Sequence, residues 1–162
     1  MPASKFIEFL SDGVTFRSTE ATKMRLIYAP LCGVDGQGIK SSVTPLLSGD
    51  IKTDKAHYVT KPVSREDLRV PVRNFFVFVD GRGVFAAADA ADMTASVEIG
   101  QLWHKMTRVF APIGVEFSAT SFVPVSGEKM ELTRFVIKNI SSSAVTVTPT
   151  ASVPIFGRAL AN

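Results

Sequence analysis

The chain has 162 residues, enough for one domain that buries ~70% of the surface its unfolded form exposes. Apolar residues make up 46% and charged residues 20%, which excludes a disordered or low-complexity chain. The 18 basic and 15 acidic residues leave a net charge of +3, and most basic residues have an acid close by rather than forming the stripe that nucleic-acid binding needs.

The first 56 residues read as loosely organised strands and loops. They open without a basic stretch followed by a long apolar run, so no secretory signal is expected. No run anywhere approaches 18 consecutive apolar residues, so a cytoplasmic protein without membrane contact is expected. Residues 25–28 are strand-like, and Gly33, Gly36 and Gly38 mark a turn whose spacing is not that of a phosphate loop. Asp50, Lys52 and Asp54 alternate like a calcium loop, but a lysine stands at the second ligand position. The lone Cys32 excludes an internal disulfide and reads as a buried or inert thiol. His57 and His104 have no cysteine or second histidine near them, so no metal and no cofactor are expected.

Lys61, Arg65, Arg69 and Arg73 recur every four residues, with Pro62 and Pro71 limiting any helix to about one turn opened by Ser64. That stretch reads as a solvated, partly neutralised turn, the alternative being an anion-contacting surface. Residues 74–79 are a continuous apolar run, then Asp80-Gly81-Arg82-Gly83 marks a hairpin turn, then residues 84–87 return. Such a run implies cover on both faces, by two stacked sheets or by a neighbouring domain.

Residues 86–110 are ambiguous. Leu102, Met106, Val109 and Phe110 fit a helix; Val97, Ile99, Gln101 and Trp103 fit one face of strands. Gly100 weakens a helix by ~1 kcal/mol, which tips the reading towards strand. Residues 115–125 and 130–138 follow as strands, with hairpin-length connections at 126–129 and 139–143. Asn139-Ile140-Ser141 reads as a polar turn rather than a glycan acceptor. A last strand alternates Val145, Val147, Pro149, Ala151 and Val153 with Thr and Ser; Pro149 removes a ladder donor and predicts an edge or bend. The last third is therefore an expected antiparallel meander.

Chemistry is sparse. No serine sits in a G-x-S-x-G turn, and Asp89, Asp92, Glu98, Glu116 and Glu131 are what any soluble surface displays. No catalytic residue is expected. The segment Trp103-His104-Lys105-Met106-Thr107-Arg108 offers an aromatic plate beside polar groups, as sugar recognition uses; a core tryptophan with exposed neighbours is the alternative.

The order of these segments resembles the N-terminal β-sandwich of the inverting glycoside phosphorylases of glycoside hydrolase family 94, which includes cellobiose phosphorylase-like enzymes. Residues 70–83 are similar to that domain's aromatic strand and glycine turn, and residues 97–108 to the strand that follows. Residues 120–124, 131–139 and 154–158 are similar to its closing meander, nearest the branch acting on β-1,2-linked glucans. The resemblance covers residues 57–162. It implies an all-β, antiparallel, supersandwich-like fold with at most a few short helices, occupying 1–162 as a single domain or fragment. It further implies a non-catalytic domain of a phosphate-dependent enzyme, whose acid catalyst sits on an α-helical barrel absent from these residues. The implied partners are that barrel, a second copy, and a β-linked gluco-oligosaccharide. Arg73, Trp103, His104 and Arg108 are the residues it nominates for sugar or interface contact. A free-standing sugar-binding module and a purely structural or oligomerising β-domain are the competing readings.

Overall fold

The computed structural model describes residues 6–24, 27–32, 39–54, 56–61, 73–89, 95–126, 128–155 and 158–159. The expected turns at 33–38 and 62–72, with Arg65 and Arg69, and also Asp92, lie outside the described residues. Strands run in chain order as β1 (Glu8–Phe9), β2 (Phe16–Ser18), β3 (Ala29–Cys32), β4 (Lys40–Val43), β5 (Ile51–Lys52), β6 (His57–Tyr58) and β7 (Asn74–Val79). They continue as β8 (Gly83–Ala86), β9 (Ser96–Gly100), β10 (Trp103–Phe110), β11 (Val115–Phe122), β12 (Leu132–Asn139), β13 (Val147–Ser152) and β14 (Arg158–Ala159). Single 3-10 turns at Ala21–Met24 and Ala111–Ile113 are the helical elements of the described residues. No helix among these residues is long and apolar enough to cross a membrane.

The strands form three antiparallel sheets: β1-β2-β9-β10-β11-β12, β13-β7-β8 and β14-β6-β5-β4-β3. The fold is an all-β sandwich. Alternation explains the first sheet, because β11 buries Val115, Phe117, Ala119 and Ser121 and leaves the residues between them half-buried. The inner face of this sheet meets the other two. A run of rings crosses the layers, with Phe75 stacked on Phe135 at 5.1 Å and Phe135 edge-on to Phe117 at 5.6 Å. Phe117 then stacks on Phe110 at 5.0 Å, and Phe110 meets Phe85 edge-on at 5.2 Å. Val77, Val97, Met106, Leu31 and Val43 fill the space around these rings and are fully buried.

The ambiguous stretch resolves as strands. β9 and β10 pair through a tight turn at Gln101 and Leu102, which places Trp103 opposite Gly100. The β7–β8 hairpin turns at 80–82, where Gly81 takes φ 66° without a Cβ clash.

The structure bears on three further expectations. On one face of β7 Phe75, Val77 and Val79 are buried; on the other Asn74 is buried and Phe76 half-buried, but Phe78 is 51% exposed, as is Val84 beside it on β8. The described residues therefore leave the Phe78 end of that second face uncovered. The 139–143 connection is a crossover rather than a hairpin, because β13 leaves β12 and pairs with β7 in the other layer. Ser141 donates from its backbone N–H and its hydroxyl to Asn139 Oδ1, and Asn139 Nδ2 donates to Ser143, which bends the chain out of the first sheet. Cys32, expected as a buried or inert thiol, is half-buried. Pro149 does sit on an edge strand, as its missing donor requires.

Candidate functional site

The four nominated residues fall on two sides of one sheet. On β10, side chains alternate, so Trp103, Lys105 and Thr107 face outward while His104, Met106 and Arg108 face the core. A contiguous hexapeptide thus contributes to two separate environments.

On the outer face, cross-strand register builds two rows. Gly100, Trp103, Phe122 and Leu132 form one; Arg17, Glu98, Lys105, Thr120 and Arg134 form the next. The indole of Trp103 lies over Gly100, where any Cβ would run into the ring. Glu98 gathers the charges: Arg17 Nε donates to Oε1 at 2.8 Å, and Lys105 Nζ to Oε2 at 3.2 Å. Partial burial pushes the Glu98 carboxyl up, but hydrogen bonds from Arg17 and Lys105 outweigh that and hold it below the usual carboxylate range. An apolar row beside a polar one is an arrangement that can stack a pyranose ring and bond its hydroxyls. Phe122, Leu132, Thr120 and Arg134 escaped the sequence reading, because only the register of β11 and β12 brings them beside Trp103.

The inner face is built around buried charge. Arg73, just before β7, is 1% exposed. Its Nη1 donates to Glu131 Oε1 at 2.6 Å, and its Nη2 donates to Ser42 O at 3.3 Å and to Ser41 Oγ at 3.4 Å. The Ser41 hydroxyl donates in turn to Glu131 Oε2. Burial pulls the Arg73 guanidinium below its ordinary value, opposed by the charges of Glu131 and Asp50. The paired carboxylate could not be foreseen, since Glu131 lies far along the chain on the approach to β12.

His104 is fully buried in the row Phe16, Ile99, His104, Ser121 and Thr133, and neither ring nitrogen has a hydrogen-bond partner. Burial first, and the Arg73 charge second, push its pKa down to about 3, so the ring is neutral at pH 7. Arg108, also buried, donates from Nη1 to Ala86 O at 2.7 Å and lies 4.6 Å above the Phe110 ring. Arg73, His104 and Arg108 are therefore tied into the interior, and Trp103 alone of the four faces outward.

Above the Arg73–Glu131 pair a cleft of about 370 Å³ opens between the layers. Ile39, Ile51 and Phe75 wall it, and Thr133, Val153 and Ile155 line it further. Among the described residues, no three His, Cys, Asp or Glu side chains converge as metal ligands would. No known protein family and no curated protein matches the sequence.

Proposed function

We propose that this chain is the non-catalytic β-sandwich domain of a carbohydrate phosphorylase-like protein. In this reading it supports fold and assembly and contacts a β-linked gluco-oligosaccharide across the Trp103 row. One observation carries the reading. Four of the five segments that resemble the phosphorylase sandwich overlap paired strands, namely β7 with its turn into β8, β9–β10, the end of β11, and β12, whereas 154–155 of the fifth are not in a strand. A cytoplasmic setting and association with a helical catalytic barrel go with it.

The sole tryptophan makes the sugar contact directly testable. Titration with cello- and β-1,2-gluco-oligosaccharides is expected to change Trp103 fluorescence saturably. Gly100→Ala, which displaces the indole, is expected to weaken the response. A flat titration removes sugar contact from the reading. The parent assignment has its own test: the complete reading frame is expected to encode an α-helical barrel, and a frame without one overturns it.

A second reading, a structural β-domain that oligomerises without ligand, is favoured by the exposed Phe78 and Val84. It predicts a dimer that Phe78→Ser dissociates, with no sugar-induced thermal shift.

A further inference from the structure

The first sheet ends on a long open edge. β12 pairs with β11 on one side, and among the described residues no strand pairs with its other side. Eight residues from Leu132 to Asn139 therefore present outward backbone N–H and C=O groups at alternate positions. Natural edges of this length are normally shortened, bulged or covered.

Two further features sit along this edge. On its inner side, Thr133, Phe135 and Ile137 are only half-buried. The cleft of about 370 Å³ begins there, and Thr133, Val153 and Ile155 are among the residues that line it. Ile155 is 71% exposed. On the outer side, Arg134 and Lys138 stand exposed at alternate positions around Val136; on the β11 side Arg134 is opposite Thr120 and Lys138 opposite Glu116, and their other side is the open edge.

We infer that β12 is a docking edge for an extended segment of another polypeptide, one that alternates apolar and acidic residues. Added as a seventh strand, such a segment satisfies the free backbone groups of β12. Its inward side chains enter the cleft beside Thr133 and pack on Ile155. Its outward carboxylates face Arg134 and Lys138 across the new ladder. A second copy of this chain is a poorer occupant: antiparallel pairing of β12 with itself about Val136, the register that keeps this stretch of the ladder centred, brings Arg134 of each copy against Lys138 of the other. The inference rests on the sheet edge and its charges, and stands apart from any sugar contact at Trp103.

The test uses three short capped peptides: one alternating valine and glutamate, one alternating valine and lysine, and the glutamate peptide with a central proline. The glutamate peptide is expected to slow hydrogen exchange at alternate β12 amides and to shift the Val153 and Ile155 methyl resonances saturably. The lysine peptide is expected to bind about tenfold more weakly, from two attractive pairs turned repulsive. The proline peptide is expected not to bind, having lost a ladder donor at its centre. Arg134→Glu combined with Lys138→Glu, both exposed and outside the core, is expected to reverse the preference between the two charged peptides. Absence of β12 protection with every peptide overturns the inference. So do equal affinity for the two charges and concentration-dependent β12 protection without peptide, which would give the edge to a second copy.

Discussion

The two faces of β10 hold charge in opposite ways. On the outer face Glu98 bridges Arg17 and Lys105 within reach of water, and the cluster is an adjustable surface feature. On the inner side Arg73 and Glu131 form a pair with almost no solvent contact, and His104 lies near it with both ring nitrogens unpartnered. In water, a lost partner is replaced by solvent and salt screens what remains. Between the layers nothing replaces it, so each inner polar group depends on its neighbours for its charge state. Residues adjacent in sequence therefore differ in how much of the fold rests on them.

The largest expected effect breaks the inner pair. Glu131→Ala leaves the Arg73 guanidinium buried without its counter-charge and should lower stability by about 3–5 kcal/mol, read from urea unfolding. Glu98→Ala should move the urea midpoint by roughly a quarter as much or less, and 1 M salt should shrink even that. Similar shifts for the two variants would erase the contrast between the faces.

Next comes acidity. The ordinary histidine value is 6.5, and His104 in the fold sits at about 3. Between these values the unfolded chain takes up a proton that the folded chain refuses. Its contribution is complete above pH 6.5 and is lost as the pH falls towards 3, at up to about 1.4 kcal/mol per pH unit. Replacing His104 by Leu should remove this component, narrowing the stability difference between pH 7 and pH 4.5 by about 2–3 kcal/mol relative to the parent protein. Asp12, Asp54 and Glu98, all held below the carboxylate range, keep their own acid sensitivity in both proteins. Parallel pH profiles for variant and parent would show that His104 is not shielded as the structure describes.

The smallest effect concerns the turn that sends Trp103 outward. Leu102 adopts φ 61°, a left-handed conformation unfavourable for a branched side chain. Leu102→Gly should relieve strain of about 1 kcal/mol, partly offset by the greater freedom of glycine in the unfolded chain. A small rise in thermal midpoint with unchanged Trp103 fluorescence is the expected result; a large loss would mean the Leu102 side chain matters more than its backbone.

Much of the fold was legible because the relevant signals are local. Alternation and β-branched residues mark β13, Gly81 marks a hairpin, and Gly100 counts against a helix through 96–110. Pro149 announced an edge because the missing N–H is a property of the residue itself. The candidate site was less legible. The segment from Trp103 to Arg108 looked like one cluster, and period-two geometry divided it between two faces. Arg73 looked like a member of a solvated basic row and is instead the buried partner of Glu131. Nothing near Phe78 in sequence signalled that its side chain would stand exposed at one end of β7.

Taken alone, then, 162 residues with one cysteine, two histidines and strand-period apolar patterns determined an all-β chain and the positions of the strands from β7 to β13. These follow from steric and hydrogen-bonding preferences that act over a few residues. Only the tertiary structure decided that β13 crosses to the second layer, that β12 ends a sheet, and which charges lie inside. Those outcomes depend on contacts between residues tens of positions apart, where register and layer stacking set each side chain's distance from water.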